Sequence, residues 1–188
     1  MTHERVILTD RLRLVTPTLD AAEEIFARYG QDATVSRYMS WVPHRSLDDT
    51  IGFLTRLMSD NAEGRSYSFL IRCRTSGELL GSVGGAIDRH RMQFGYCLAR
   101  PAWGQGYATE AATSFVNAAL RLPGLWRVQA FCDTENTASA RVLEKSGLQH
   151  EGTLRRYMTL PNMGSEPRDM HCYAKVTPSV AAALSLAS

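Results

Sequence analysis

Two hydrophobic periodicities alternate along the chain, and together they predict an α/β protein. Alternating or continuous apolar runs predict strands near 10–15, 67–73, 79–87, 92–98, 126–132, 152–160 and 169–176. Apolar residues at spacings of three and four predict helices near 21–28, 51–58, 108–120 and 137–146. We therefore expect a central twisted mixed sheet of about seven strands flanked by about four helices.

The order of these elements indicates how the sheet is connected. Three strand-like runs follow one another between 67 and 98, and Thr75-Ser-Gly-Glu78 reads as the hairpin turn between the first two. Helical segments then separate the later strands. Because a helix is the usual connection between parallel strands, these crossovers predict parallel strands in the second half of the chain.

Composition fits a single domain, 1–176, followed by an Ala/Ser-rich tail at 177–188. The 44% hydrophobic fraction is enough for a core, and the 21% charged fraction is ordinary for a globular protein. The net charge is +2 and the longest basic run is Arg155-Arg156, so we expect no nucleic-acid partner. The chain shows no apolar signal region or membrane-spanning stretch, which favours a cytoplasmic protein without a membrane partner.

The cysteines carry little sign of metal or redox chemistry. Cys73, Cys97, Cys132 and Cys172 form no Cys-x-x-Cys pair, so a zinc site is not expected and we predict no bound metal. All four lie in strand-like runs. We expect them to be buried thiols that act as small hydrophobic side chains.

The strongest candidate for chemistry is a glycine-bearing turn, Trp103-Gly-Gln-Gly-Tyr-Ala108, that joins a strand to a long helix. The first amides of a helix have no partners within it, and glycine lets a ligand approach the backbone closely. A phosphate could bind there. The turn matches neither the P-loop nor the dinucleotide-binding pattern. Spacing alone leaves phosphate binding and a simple packing turn equally open.

A second candidate segment, Asp133-Thr-Glu-Asn-Thr-Ala-Ser-Ala-Arg141, lies between the next strand and the next helix. Asn136 suits the N-cap position, with Ser139 three residues later. That structural interpretation is sufficient for the segment taken alone. The functional alternative is that both side chains face a ligand lying between two diverging strands.

Together these segments resemble the GNAT acetyltransferase superfamily, and in particular its ribosomal-protein N-terminal (alanine) acetyltransferase branch. The resemblance spans roughly Thr9 to Val176. Its further pieces are Thr9-Asp-Arg-Leu-Arg-Leu14, Leu143-Glu-Lys-Ser-Gly147 and Arg168-Asp169. It implies a splayed strand pair that holds acetyl-CoA, the acetyl donor. It also implies direct attack of a primary amine on the thioester in a ternary complex, catalysed by a monomer or homodimer. The amine would belong to a protein N-terminus or a small molecule.

The resemblance also implies individual roles. The amides of Gly104–Ala108, which we call the phosphate loop, would hold the CoA pyrophosphate. The Leu98 backbone would pair with the pantetheine arm, and Asn136 would hydrogen-bond it. Ser139 would protonate or hydrogen-bond the leaving thiolate. The cofactor-binding residues implied are Leu98, Trp103, Gly104, Gln105, Gly106, Tyr107, Ala108 and Asn136.

Three departures from the family pattern bear on catalysis. Leu143 stands where many relatives carry a tyrosine that protonates the leaving thiolate, so Ser139 is the remaining candidate for that acid. Gln93 and Met158 stand near positions where relatives carry a glutamate base. The base is therefore undefined, and a water-relayed base is one solution. The other candidates are Glu110, His150, Glu151 and Asp169. A non-catalytic acyl-CoA-binding or sensing protein is the alternative to an enzyme.

The acceptor site is expected between two loops. The resemblance places Ser36-Arg-Tyr-Met-Ser-Trp-Val-Pro-His44 beside the acceptor pocket, with Tyr38 and Trp41 as its walls. These aromatic residues could equally belong to the core and pin the loop. The Pro- and Gly-containing turn 160–167 would face the pocket from the other side.

Overall fold

The computed structural model describes residues 5–177. Apart from Thr177, the predicted tail at 177–188 lies outside the described residues. One mixed sheet contains eight strands in the order β1-β2-β3-β4-β5-β6-β8-β7. The strands are β1 (Val6–Leu8), β2 (Leu12–Val15), β3 (Ser66–Cys73), β4 (Leu79–Asp88), β5 (Arg91–Leu98), β6 (Arg127–Asp133), β7 (Gln149–Met158) and β8 (Arg168–Val176).

Helices cover both faces of the sheet. They are α1 (Ala22–Ile25), α2 (Ala33–Ser36), α3 (Leu47–Ala62), α4 (Tyr107–Ala119) and α5 (Thr137–Lys145). A 3-10 turn at Leu19–Ala21 and a π turn at Phe26–Gly30 extend α1 on its two sides. The third helix begins with a capping box, in which Ser46 accepts from the Asp49 amide and Asp49 accepts from the Ser46 amide.

The predicted α/β class and mixed sheet are confirmed, with two additional elements. The predicted seven strands become eight because Val6–Leu8 pairs antiparallel with Leu12–Val15. That edge strand has three residues, which is too short for alternation to predict it. The helix Ala33–Ser36 was also not predicted. It is one turn long, and the Asp32 side chain caps it.

The second predicted crossover is only partly correct. Strands β5 and β6, joined through α4, are parallel neighbours as expected. Strand β7 runs in the same direction as β6, but the two are not neighbours. The last strand, β8, lies between them and pairs antiparallel with both. The order of elements along the chain does not reveal that the last strand forms a hairpin with β7 and lies between β6 and β7.

Two hydrophobic cores hold the layers together. On one face of the sheet, α4 and α5 pack through residues such as Phe115, whose ring lies 5.8 Å from that of Phe94. On the other face, the α1 and α3 segments bury Ile25, Tyr29 and Leu54 against the sheet. These opposite faces are called the α5 face and the α3 face below.

The cysteine prediction holds in part. Cys97 and Cys132 are buried, whereas Cys73 and Cys172 are half-buried, and all four are free thiols. Between residues 5 and 177, the structure has no group of three or more His, Cys, Asp or Glu side chains placed to hold a metal ion. Over the same range, none of the helices is long and apolar enough to cross a membrane.

Candidate acetyl-CoA and active site

The parallel pair β5–β6 opens into a notch. The two strands pair only from Arg91 with Arg127 to Gln93 with Gln129. Beyond these residues the two strands no longer pair with each other, although β5 continues to Leu98 beside β4 and β6 to Asp133 beside β8. The backbone groups of these strand ends are therefore available to a ligand that lies between them.

The phosphate loop lies just after the end of β5. Gly104 and Gly106 adopt left-handed φ angles of 74° and 80°, which other residues adopt only with strain. Residues 103–106 are exposed, and a Cβ on Gly104 would meet no atom within 4 Å. Because α4 begins at Tyr107, its first amides open onto this exposed loop, beside the Arg11 guanidinium, whose Nη2 would lie 3.4 Å from a Cβ on Gly106. The loop fits an anionic group such as a pyrophosphate.

Thr9 and Arg11, near the start of the chain, hold this loop through hydrogen bonds that we call the brace. Glu110, in the first turn of α4, accepts hydrogen bonds from Thr9 Oγ1 (2.5 Å), the Arg11 amide (2.9 Å) and Arg11 Nε (2.6 Å). Arg11 also donates to the Gln105 carbonyl at 3.0 Å, and its guanidinium lies 4.6 Å from the centre of the Tyr107 ring. The brace therefore fixes the direction of the Gln105 peptide.

The same contacts remove Glu110 from the candidate bases. Burial opposes ionisation, but the hydrogen bonds from Thr9 and Arg11 outweigh it and hold the pKa of Glu110 below its ordinary value. The sequence left Glu110 among the candidate bases and did not predict its contact with Arg11. The Thr9-Asp-Arg11 segment at the opening of the chain was the available signal.

Trp103 links the phosphate loop to the end of β5. Its indole Nε1 donates to the Leu98 carbonyl at 2.8 Å, while its side chain is about half exposed. The Leu98 carbonyl thus has one partner already, and any pairing with a ligand would use its second lone pair or the amide. Leu98 and Trp103 are therefore brought together at the mouth of the notch.

Asn136 and Ser139 lie on the opposite wall of the notch, where β6 passes into α5. Asn136 Oδ1 accepts from the Ser139 amide at 3.1 Å, so the predicted N-cap is present. Ser139 Oγ lies 3.0 Å from the phenolic oxygen of Tyr96 on β5. This hydrogen bond joins β5 to α5, the helix that follows β6, beyond the point where β5 and β6 stop pairing. Tyr96 was not predicted, although its alternation with Phe94 and Leu98 places it on the α5 face.

The remaining candidate bases all lie outside the notch strands. Glu151 is on β7, where both of its oxygens accept from Arg127, and these hydrogen bonds lower its pKa. Asp169, on β8, accepts from the Arg156 amide at 2.8 Å. His150, on β7, contacts the rings of His171 and Tyr173. None of these side chains belongs to β5 or β6.

One carboxylate does lie at the end of β6. The side chain of Asp133 is fully buried and accepts from Arg168 Nε, from Arg168 Nη2 (3.1 Å) and from the Glu135 amide (2.9 Å). Burial opposes ionisation, but these hydrogen bonds outweigh it and keep the pKa of Asp133 below its usual value. Asp133 is therefore a structural ion-pair partner and a poor proton acceptor.

The two predicted acceptor loops are in contact. The side-chain amide of Asn162 donates to the carbonyls of Ser36 (2.6 Å) and Trp41 (2.8 Å). The Trp41 ring lies 5.5 Å from His44 and packs against the α3-face core, which favours its structural interpretation. Tyr38 is half-buried, and the Arg37 guanidinium lies 5.2 Å from its ring centre.

Comparison with known proteins agrees with this geometry. Residues 11–149 match the family model described as an acetyltransferase (GNAT) domain. The chain is similar to YoaA of Bacillus subtilis (strain 168), an uncharacterized N-acetyltransferase, with 33% identity over 176 residues, 92% of this chain and 97% of YoaA. It also resembles the crystal structure of a GNAT-family acetyltransferase from Bacillus anthracis (TM-score 0.80, 25% identity, 92% and 98% coverage).

A third match concerns the fold alone. The ribosomal L7/L12 α-N-protein acetyltransferase RimL superimposes with a TM-score of 0.82 at 19% identity, covering 93% of this chain and 95% of RimL. The fold expected from the ribosomal-protein branch is therefore present. The chain belongs to the GNAT acetyltransferase family. Within that family it is an acetyl-CoA-dependent N-acetyltransferase.

Proposed function

We propose that the protein transfers the acetyl group of acetyl-CoA to a primary amine by direct attack in a ternary complex, with the CoA pyrophosphate on the phosphate loop. The observation that carries the proposal is the pair of left-handed glycines, Gly104 and Gly106, which leave the first amides of α4 open at the mouth of the notch. The fixed Gln105 peptide supports it, because Arg11 already binds the Gln105 carbonyl and the loop amides are left for an anion.

The pantetheine arm would follow the β5 wall of the notch. The Leu98 amide and the second lone pair of its carbonyl are the proposed partners on that side, and Trp103 covers them through the indole hydrogen bond. Asn136 uses its carbonyl oxygen for the helix cap. Its NH2 group is therefore the part that would donate to a pantetheine amide.

Acetyl-CoA supplies an activated thioester, so the protein mainly has to position the amine and stabilise the charge that develops on oxygen and sulfur. A backbone amide near Cys97–Leu98 would polarise the thioester carbonyl. Ser139 would hydrogen-bond the departing sulfur. Both groups belong to elements fixed by core packing, which preorganises them before the substrates bind.

The amine would approach from the α3 face. On that face of β5, Gln93 and Gly95 are exposed, whereas Phe94 on the α5 face is buried. The loops joined by Asn162 would border the acceptor there, and Tyr38 would contact it. RimL, by its name, acts on a protein α-amino group. A protein N-terminus and a small-molecule amine are the two classes of acceptor that we propose.

The amine would lose its proton without a dedicated carboxylate base. Glu110, Glu151 and Asp133 have lowered pKa values and are committed to arginine partners. We infer that the amine binds in its neutral form, or loses its proton to solvent through an ordered water.

Thiol release from acetyl-CoA, measured with a panel of small amines and N-terminal peptides, tests this function. We expect release that depends on the acceptor and matches the amount of acetylated product. Initial-rate plots should intersect, as direct transfer requires, and no acetylated protein should accumulate without acceptor. Tight acetyl-CoA binding with no transfer to any acceptor would favour the sensing protein instead. Parallel initial-rate lines would contradict direct attack.

A further inference from the structure

The hydrogen bond between Tyr96 and Ser139 leaves one hydroxyl proton unused, and this proton points to a ligand. Each hydroxyl carries one proton, and a single hydrogen bond between them uses only one. Among residues 5–177, neither oxygen has a second hydrogen-bond partner. The other proton is therefore free to be donated into the notch.

The chemistry of the two hydroxyls decides which proton is free. A phenol is more acidic than an alkyl alcohol, so it is the better hydrogen-bond donor. The favoured arrangement has Tyr96 donating to Ser139 Oγ. Ser139 then keeps its own proton for a group in the notch, and its oxygen is polarised by the phenol.

We propose that Tyr96 is a positioning residue that aims and polarises the Ser139 hydroxyl toward the leaving sulfur of CoA. This inference rests on the proposed function, since it needs acetyl-CoA in the notch. As the C–S bond breaks, its electron pair goes to sulfur, and Ser139 donates a hydrogen bond to the developing thiolate. The proton that CoA finally carries comes from the acceptor nitrogen through solvent, so Tyr96 and Ser139 keep theirs.

Burial supports a neutral role for the phenol. Desolvation raises the pKa of Tyr96 to about 12, despite the opposing hydrogen bond to Ser139. Tyr96 therefore remains protonated across the working pH range and cannot act as a base there. Tyr96 would thus assist Ser139 from β5, whereas Leu143 on α5 is buried and has no proton to donate.

Removing the phenolic hydroxyl alone tests the proposal. Tyr96→Phe keeps the ring in the α5-face core, so we expect kcat to fall by about tenfold with the KM for acetyl-CoA unchanged. We expect Ser139→Ala to lower kcat by about a hundredfold, also without loss of acetyl-CoA affinity. The double variant should be no slower than Ser139→Ala, because Tyr96 acts only through Ser139.

A matched control separates positioning from general packing. The Tyr173 hydroxyl also bonds to α5, through Glu144 at 3.0 Å, but does not contact Ser139. Tyr173→Phe should therefore leave kcat unchanged. Equal kcat in Tyr96→Phe and wild type, additive losses in the double variant, or an equal loss in Tyr173→Phe would each overturn the proposal. Because wild-type transfer is measured alongside, these outcomes differ from failure of the proposed function, in which wild type itself transfers nothing.

Discussion

Arg127 and Glu151 form a two-pronged ion pair, in which each terminal guanidinium nitrogen donates to a different carboxylate oxygen. The pair joins the first residue of β6 to β7, across the intervening strand β8. The pair lowers the pKa of Glu151 and keeps it ionised. Glu151, a candidate base from the sequence, is therefore a structural residue.

The first prediction concerns the pH dependence of catalysis. If the protein supplies no carboxylate or imidazole base, the rise of kcat/KM with pH should follow the pKa of the acceptor amine. We take two acceptor amines whose pKa values differ by about one unit. The rising parts, or limbs, of their kcat/KM profiles should then be displaced by about one pH unit. Measuring kcat/KM against pH for both checks this. Glu151→Gln should leave both limbs in place. A single limb shared by the two amines would reveal a titrating group of the protein.

Asn162 provides a test of the acceptor pocket. Asn162→Ala removes both hydrogen bonds that join the two acceptor loops, and we expect the KM for the amine to rise by roughly tenfold. The KM for acetyl-CoA should stay unchanged. Asn117→Ala, which removes a side-chain bond to Lys175 on the other face of the sheet, is the control. An unchanged KM for the amine would place the pocket elsewhere.

Asp133 should matter for stability. Asp133→Asn removes a fully buried charge from its pair with Arg168, and we expect a loss of about 3 kcal/mol in the free energy of unfolding at pH 7. Asp60→Asn, in a more exposed pair with Arg65, should cost no more than about 1 kcal/mol. Urea unfolding measures both.

The same variant has a defined pH signature. The pKa of Asp133 is lowered by folding, so its contribution is present above the ordinary aspartate pKa and is lost as pH falls through the lower folded value. The stability gap between wild type and Asp133→Asn should therefore be largest near neutral pH and shrink in acid. A gap that stays constant down to pH 2 would mean that charge is not its cause.

Local patterns predicted much of this molecule. The N-cap at Asn136, the glycine turn before α4 and the core face of that helix all depend on residues close in sequence, where periodicity and capping chemistry apply. The choice between a structural and a functional Trp41 needed tertiary packing, which places it against the α3-face core.

Contacts between distant residues were not predictable in the same way. Arg11 and Glu110 are 99 positions apart, and Tyr96 and Ser139 are 43 apart. Their meeting depends on the strand order and on the packing of α4 and α5 against the sheet. Alternation does place Tyr96 on the correct face of its strand, but only the splay of β5 from β6 brings it to Ser139.

Titration calorimetry of CoA binding to Gly106→Glu tests whether the CoA pyrophosphate lies on the phosphate loop. The new carboxylate would stand against the phosphates, and we expect affinity to fall by at least about a hundredfold. Gly124→Glu is the matched control. Gly124 has a similar φ of 77° and open space around it, so the backbone strain is the same without the anion at the loop. We expect Gly124→Glu to bind CoA like wild type and Gly106→Glu to bind it far more weakly. Wild-type affinity in Gly106→Glu would contradict this placement of the pyrophosphate.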